Sequence, residues 1–242
     1  MTSPTIYLAR HTETTSNTMG LMQGWSDFPI TQHGHEIIKC FGLGLKGITF
    51  NAAYSGSLPR HYQTARGALD YSGNGSVAVK QDPDLREDNF GSFEGRESKE
   101  TNLAGLKRLG YSSMATALAD RGTKINLDLQ DAWHDLDAEN ALNTDLADQD
   151  RAESSADVRK RMNRAMRRIG EDAVKQHAGN ILVVSSGLSI RQFLFLVNPD
   201  TDFTGLQNTA VTKLCYENGT FRIIGKVASM EYYERGKASL SE

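Results

Sequence analysis

The sequence predicts an α/β fold, and three observations carry that expectation. Short β-prone runs recur along the chain, apolar residues at helical spacing fill the stretches between them, and polar or charged residues stand directly after the strongest runs. Thr5 to Ala9 ends in Arg10-His11, and Asn180 to Val184, the clearest buried strand, ends in Ser185-Ser186-Gly187. In open α/β sheets ligands gather beyond the carboxyl ends of strands, so these two ends are where chemistry is expected.

The elements between them follow in order. Thr31 is the candidate N-cap of a helix to about Gly47, with Ile37, Ile38, Phe41 and Leu45 on one face. Its end contains Gly42-Leu-Gly44-Leu-Lys-Gly47, a formal GxGxxG. A dinucleotide site needs a strand before those glycines and a helix after them; here the order is reversed, with β-prone Ile48 to Tyr54 following, so they read as a helix exit. Pro59 to Tyr71 predicts a second helix with proline in its first turn, leading through the 72–76 loop to a strand at Val77 to Val79. Ser154 and Ser155 cap a long helix bearing Val158, Met162, Ala165, Met166, Ile169 and Ala173, closed by Gly179. Ser189 to Val197 reads as the helix after the buried strand, and Val211 to Tyr216 with Thr220 to Ile224 as a hairpin about Asn218-Gly219.

Composition narrows the function class. The 242 residues carry 27 Lys+Arg against 30 Asp+Glu, a net charge of −3, which argues against a nucleic-acid partner. Cys40 and Cys215 lie far apart, with no CxxC or Cys/His cluster, so neither a disulfide framework nor a zinc site is expected. Met-Thr-Ser-Pro-Thr is not a basic leader, and no apolar run reaches the roughly 18–20 residues of a membrane span, so the expectation is a cytoplasmic protein with no membrane partner. Between about residues 97 and 156 the strand signal disappears. Ten carboxylates face one basic residue, Arg151, from Asn126 to Asp157, which reads as a helical acidic insertion: either a cap over a pocket or a solvated excursion.

Arg10-His11 would need further cations to hold an anion and a carboxyl group to move a proton. Arg60 follows the strand end at Tyr54-Ser55, Glu87 follows an extended segment, and Asn17 lies in the loop after His11. Together with Leu8-Ala9-Arg10-His11-Thr12-Glu13-Thr14, Gln23-Gly24-Trp25, Gln63-Thr64-Ala65, Gly91-Ser-Phe-Glu-Gly95 and Ile190-Arg191, these residues resemble the histidine phosphatase superfamily, in its phosphoglycerate mutase-like branch.

That resemblance implies a three-layer α/β/α sandwich with a mostly parallel central sheet, one domain over residues 1–242 with the insertion at about 97–156. It implies His11 as a nucleophile that becomes phosphohistidine and Glu87 as the acid that protonates the leaving oxygen and then the base that activates water. Arg10, Asn17, Gln23, Gly24, Arg60 and Gly187 would bind phosphate and substrate, with no metal or other cofactor, because guanidinium groups fill the electrostatic role magnesium has elsewhere. The substrate would be a small phosphorylated metabolite.

Two departures stand out. Thr12 replaces a glycine, which is expected to crowd the phosphate without removing the nucleophile. Ser186 replaces the family's second histidine, and loss of one transition-state donor typically costs on the order of a hundred- to a thousandfold. A serine nucleophile at 186 is rejected, because Ser-Ser-Gly-Leu-Ser is not a GxSxG elbow. The expectation is therefore an impaired phosphomonoester hydrolase. The alternatives are a phosphoglycerate mutase, disfavoured because the stretch after Gly95 is acidic, and a phosphate-binding protein without turnover.

Overall fold

The computed structural model describes residues 3–202 and 206–241. Four strands, β1 (Thr5–Arg10), β2 (Ala52–Ser55), β3 (Val79–Gln81) and β4 (Asn180–Ser185), run parallel; β5 (Val211–Glu217) and β6 (Thr220–Ser229) complete a mixed sheet in the order β3-β2-β4-β1-β5-β6. β5 is antiparallel to β1, and it turns into β6 through Asn218 and Gly219, both at positive φ, as the predicted hairpin requires.

Alternation along the inner strands sorts side chains to two faces. Ile6, Leu8, Ile181, Val183 and Leu214 pack on one face against α7 (Ser155–Lys175) and α8 (Gly187–Val197), whose Met162, Met166, Ile169, Ile190 and Phe193 are buried. Tyr7, Ala9, Leu182 and Val184 pack on the other against α2 (Gln32–Gly44) and α3 (Pro59–Ser72), through Phe41, Ala65, Ala68 and Leu69. The result is the three-layer sandwich. A third cluster joins α4 (Ser98–Arg108), α5 (Met114–Arg121) and α6 (Ile125–Ala138) to Met22, Phe90 and Phe93.

Several predicted boundaries move, each for a local reason. β2 starts at Ala52 rather than Ile48 because Asn74 ties that segment into a turn, donating to the Ile48 carbonyl and accepting from Phe50 N–H. β3 starts at Val79 because Val77 N–H is bonded to the Asn74 carbonyl, and pairing with Ala53 begins two residues later. Ser154 caps α7 through a reciprocal pair with Asp157, as expected, but the helix ends at Lys175 and the left-handed residue after it is His177, not Gly179. Gly179 instead donates its amide to Asn51.

The sequence reading did not foresee α1 (Thr15–Met19) or α9 (Glu231–Ala238). The second explains Gly44 of the GxGxxG run, while Gly42 faces Ala68 and Tyr71 of α3 and Gly47, at positive φ, is the helix exit expected. Helix α9 crosses α2 so closely that a Cβ on Gly44 would overlap the Tyr232 carbonyl, and one on Gly236 would overlap the Cys40 carbonyl. Gly44 and Gly236 serve helix–helix packing, with Arg235 donating to the Gly44 carbonyl.

Among the described residues no helix is long and apolar enough to cross a membrane. Gly236→Ala should lower stability by about 1–3 kcal/mol, since overpacking against backbone outweighs the helix propensity alanine gains. Thermal unfolding should register a Tm several degrees lower; an unchanged or higher Tm would mean that the two helices separate freely.

Candidate active site

Strand pairing brings the suspected residues together. Arg10 ends β1 opposite Ser185 at the end of β4, and His11 N–H donates to the Ser185 carbonyl at 2.9 Å. Ser55 ends β2 beside Val184, so Pro59 starts α3 at the same edge and puts Arg60 and His61 in its first turn. Ser186 is the N-cap residue of α8. Glu87 arrives on the loop after β3, held by Arg161 of α7, which donates to the carbonyls of Asp84, Arg86 and Glu87 and forks onto Glu153.

His11 is buried, and its Nδ1 lies 2.7 Å from the Thr12 carbonyl. A carbonyl only accepts, so the proton sits on Nδ1 and the lone pair on Nε2. Burial, then the charges of Arg60 and Arg10, hold the imidazole well below its usual pKa of 6.5. It is a neutral ring with a free lone pair, the form that attacks an electrophile.

Around it stand buried cations. Arg10 donates from Nη1 to the Leu206 carbonyl at 2.8 Å, and burial pulls its pKa down to about 10 against the opposing charge of Glu87, so it stays protonated at neutral pH. Arg60, only 1% exposed, donates to the carbonyls of Gly24 and Ser26 at 2.7 and 3.1 Å and lies 3.7 Å from Asp27. Buried donors almost always find acceptors. Here Arg10 Nε, Arg60 Nε, Arg191 Nε and Gln23 Nε2 have none among the described residues. Arg10, Gln23 and Arg191 line one cavity of about 270 Å³ with His11, Asn17 and Glu87, and an oxyanion is the ligand that would satisfy such donors.

The remaining expected residues are placed as follows. Asn17 commits Oδ1 to Thr14 N–H and to Asn208, which also donates to the His11 carbonyl, keeping its NH2 for the cavity it lines. Gly24 is held against the Asp88 carbonyl so tightly that a Cβ would overlap it. The Glu87 carboxylate accepts from the amides of Asp88, Leu188 and Ser189 at 2.8–3.1 Å, the last two in the first turn of α8. Beside it, burial and the charge of Glu87 push the Asp88 carboxyl well above its usual pKa of 3.8. Gly187 lines the cavity next to Arg10. Thr12 does not crowd it: its hydroxyl donates to the Gly34 carbonyl at 2.7 Å, and it is absent from the cavity wall. Ser186 is fully buried, and its Oγ meets His61 Nε2 at 2.6 Å.

The segment read as an acidic insertion covers this cavity. Asn102, Asn126 and Trp133 line it, and Trp133 meets Phe90 edge to face at 5.7 Å. Most of its carboxylates hold structure: Asp137 accepts from Ser92 and Ala152 amides, Asp131 from Ser155, while Asp128 and Glu139 pair with Arg121 and Arg108. Sequence reasoning missed Arg191, Asn208, Trp133 and His61 as members of the site. Of these only Arg191 carried a signal, standing in the Ile190-Arg191 pair on which the family resemblance already drew.

The profile of the histidine phosphatase superfamily (branch 1) matches residues 6–110 and 121–227. A crystal structure of phosphoglycerate mutase from Bacillus anthracis str. Sterne is 31% identical and superposes with a TM-score of 0.87, covering 98% of this chain and 97% of that one. A phosphoserine phosphatase from Entamoeba histolytica, solved with 3-phosphoglyceric acid, shares the fold at 20% identity and TM-score 0.63, over 95% of this chain and 99% of that one. A 2,3-bisphosphoglycerate-dependent phosphoglycerate mutase of Mesorhizobium japonicum is 33% identical over 95 residues, 38% of this chain and 46% of that protein, so the match spans about half the length of that relative. With the profile covering most of the sequence and a solved relative matching nearly all of it, the chain belongs to the histidine phosphatase superfamily.

Proposed function

We propose that this protein is a metal-independent phosphomonoester hydrolase that works through a phosphohistidine on His11, as one domain over residues 1–242, acting on a small phosphorylated metabolite in the cytoplasm. The observation that carries the reading is the neutral His11 imidazole set among buried guanidinium groups whose Nε donors have no acceptor among the described residues. His11 Nε2 attacks phosphorus while the bond to the ester oxygen breaks, and Glu87 gives that oxygen its proton. Water then attacks the phosphohistidine, Glu87 takes the water's proton, the P–N bond breaks and inorganic phosphate leaves. Arg10, Arg60, Arg191, Asn17 and Gln23 donate to the phosphoryl oxygens, where negative charge is concentrated. Ser186 offers a hydroxyl but no imidazole of its own, which lowers turnover relative to an enzyme with histidine there.

A phosphoglycerate mutase is the second reading, favoured by the names of the Bacillus anthracis and Mesorhizobium japonicum proteins. A mutase must also grip a second anionic group on its substrate. Beyond the proposed phosphoryl-binding and proton-transfer residues, the cavity is lined by Leu21, Met22, Phe90, Trp133 and Leu188 with Ser98, Asn102 and Asn126, which suits a substrate with one phosphoryl group and an uncharged remainder.

Three expectations follow from these roles. In chelator, the protein should release phosphate from p-nitrophenyl phosphate, and His11→Ala should cut kcat by about a thousandfold or more. Release that survives His11→Ala removes the phosphohistidine route, and phosphate binding without release would make the protein a binder. Given primed 3-phosphoglycerate, 31P NMR should show inorganic phosphate rather than 2-phosphoglycerate. Glu87→Gln should cost about a hundredfold or more on an alkyl phosphate, and less on p-nitrophenyl phosphate, whose leaving oxygen needs no proton; equal losses on both would exclude Glu87 as the acid.

The pH dependence has a definite sign. His11 and His61 are both held well below 6.5, so below that pH the unfolded chain binds more protons than the folded one. Their contribution to stability therefore declines as pH falls below about 6.5 and is flat above it. Denaturant midpoints should fall on the acid side, less so in His11→Asn/His61→Asn, whereas kcat should hold as pH passes down through 6.5. An acid limb centred on 6.5 would mean that His11 titrates as an ordinary imidazole.

A further inference from the structure

Helix α3 carries a second imidazole into the site. His61 is fully buried, its ring centroid lies 5.5 Å from that of His11 with the planes at 55°, and its Nε2 lies 2.6 Å from Ser186 Oγ. The partner is the side chain at the position where the family resemblance expects a histidine. His61 Nδ1 is buried with no partner among the described residues. Its place exists only because residue 56 is glycine, since a Cβ there would overlap Nδ1. A histidine kept merely to fill a core would ordinarily have both nitrogens satisfied or be replaced by an apolar residue of similar size. This ring is instead committed through one nitrogen to one hydroxyl beside the proposed nucleophile.

We propose that His61 and Ser186 together replace the histidine absent at position 186, with His61 donating Nε2–H to Ser186 Oγ and so aiming the serine hydroxyl proton at a phosphoryl oxygen. The proposal rests on the phosphatase reading of the same site and names a further part of its machinery. The tautomer follows from the hydrogen-bond accounting. With the proton on Nδ1, the serine would spend its only proton on Nε2, and a buried N–H would face Gly56 with no acceptor. With the proton on Nε2, only a lone pair is left unpaired and the hydroxyl proton is free. Burial, then the charges of Arg60, Arg161 and Arg86, hold the ring neutral, consistent with a single N–H donor.

The geometry gives this pair a target. Ser186 follows the residue whose carbonyl accepts from His11 N–H, and it precedes Gly187, which lines the cavity next to Arg10. Both side chains are fully buried, as is Arg60. Ser186 is the group that meets the phosphoryl oxygen, and His61 is a positioning residue that acts through it. A donor chain of this kind strengthens as charge builds on the acceptor, which is the condition of the transition state.

The test compares His61→Ala, His61→Gln, Ser186→Ala, His61→Ala/Ser186→Ala and His61→Ala/Ser186→His with the unaltered protein, in chelator, by p-nitrophenyl phosphate turnover and by calorimetry with inorganic phosphate. Removing either member should lower kcat by about a hundredfold to a thousandfold, with KM within about threefold. The double alanine variant should be no slower than either single one, because the two act as a unit. His61→Gln, whose amide N–H reaches the place of Nε2, should recover most of the rate, as should moving the imidazole to 186. Multiplying losses, a full rate in His61→Ala, or His61→Gln as slow as a folded His61→Ala would overturn the proposal. Should His61→Ala fail to fold, His61→Gln against Ser186→Ala decides: a rate near that of the unaltered protein for the first and a low rate for the second support the pair. If the unaltered protein binds phosphate without turnover, the phosphatase reading fails alone, and phosphate affinity becomes the readout: equal, non-additive weakening supports the pair, and unchanged affinity overturns it. If it neither turns over nor binds phosphate, both fall.

Discussion

The parallel pairing of β1 with β4 is the constraint on which the rest of the site depends. It runs in register from Thr5 opposite Asn180 to Arg10 opposite Ser185, so two segments 175 residues apart in sequence end at the same height. Each strand is apolar on both faces and is covered by helices on both, which leaves the register little freedom to slip. Once those ends coincide, β2 delivers the first turn of α3 to the same edge and α8 departs from it. The chemistry is thus fixed by the core: a shift of one residue would turn His11 and Ser186 to the opposite faces of the sheet.

What that core supports is electrostatically expensive. Two guanidinium groups are buried next to a neutral imidazole, and burial is the leading cause of the lowered pKa of each. The backbone carbonyls of Leu206, Gly24 and Ser26 offset part of that cost, and the Glu87 carboxylate opposes it through space. The outlying ends are locked as well: Arg161 gathers the carbonyls before Glu87, and a forked pair with Glu153 balances its charge. Natural sites commonly sacrifice stability in this way where a ligand will supply the missing partner.

Much of this was legible because it is local. A β-prone run ending in Arg10-His11, a helix start after Ser55, and Ser185-Ser186-Gly187 after the most apolar run all place polar groups at strand ends, and sheet geometry does the rest. The parts that were not legible depend on distant partners. Gly44 and Gly236 have meaning only as a pair across two helices, and nothing in either segment announces the other. Gly179 does not close α7 because its amide is taken by Asn51, and the late start of β2 depends on Asn74 competing for its backbone. His61 looks like any histidine on a helix until Ser186, 125 positions later, is seen in contact with it. The acidic run read as a solvated or capping face because charge counts do not reveal which carboxylates are consumed by backbone amides, as those of Asp131 and Asp137 are.

The Glu94 carboxylate accepts from the amides of Gly24, Trp25, Ser26 and Phe90, just as Glu87 takes those of Leu188 and Ser189 at the start of α8. The loop and helix start that many phosphate sites turn toward their ligand are here turned inward, onto carboxylates of the protein itself. Recognition is left to side-chain tips reaching a common volume from separate elements. A site defined in that way is indifferent to which element carries a given tip, so its groups are exchangeable between neighbouring strand ends without any change of fold.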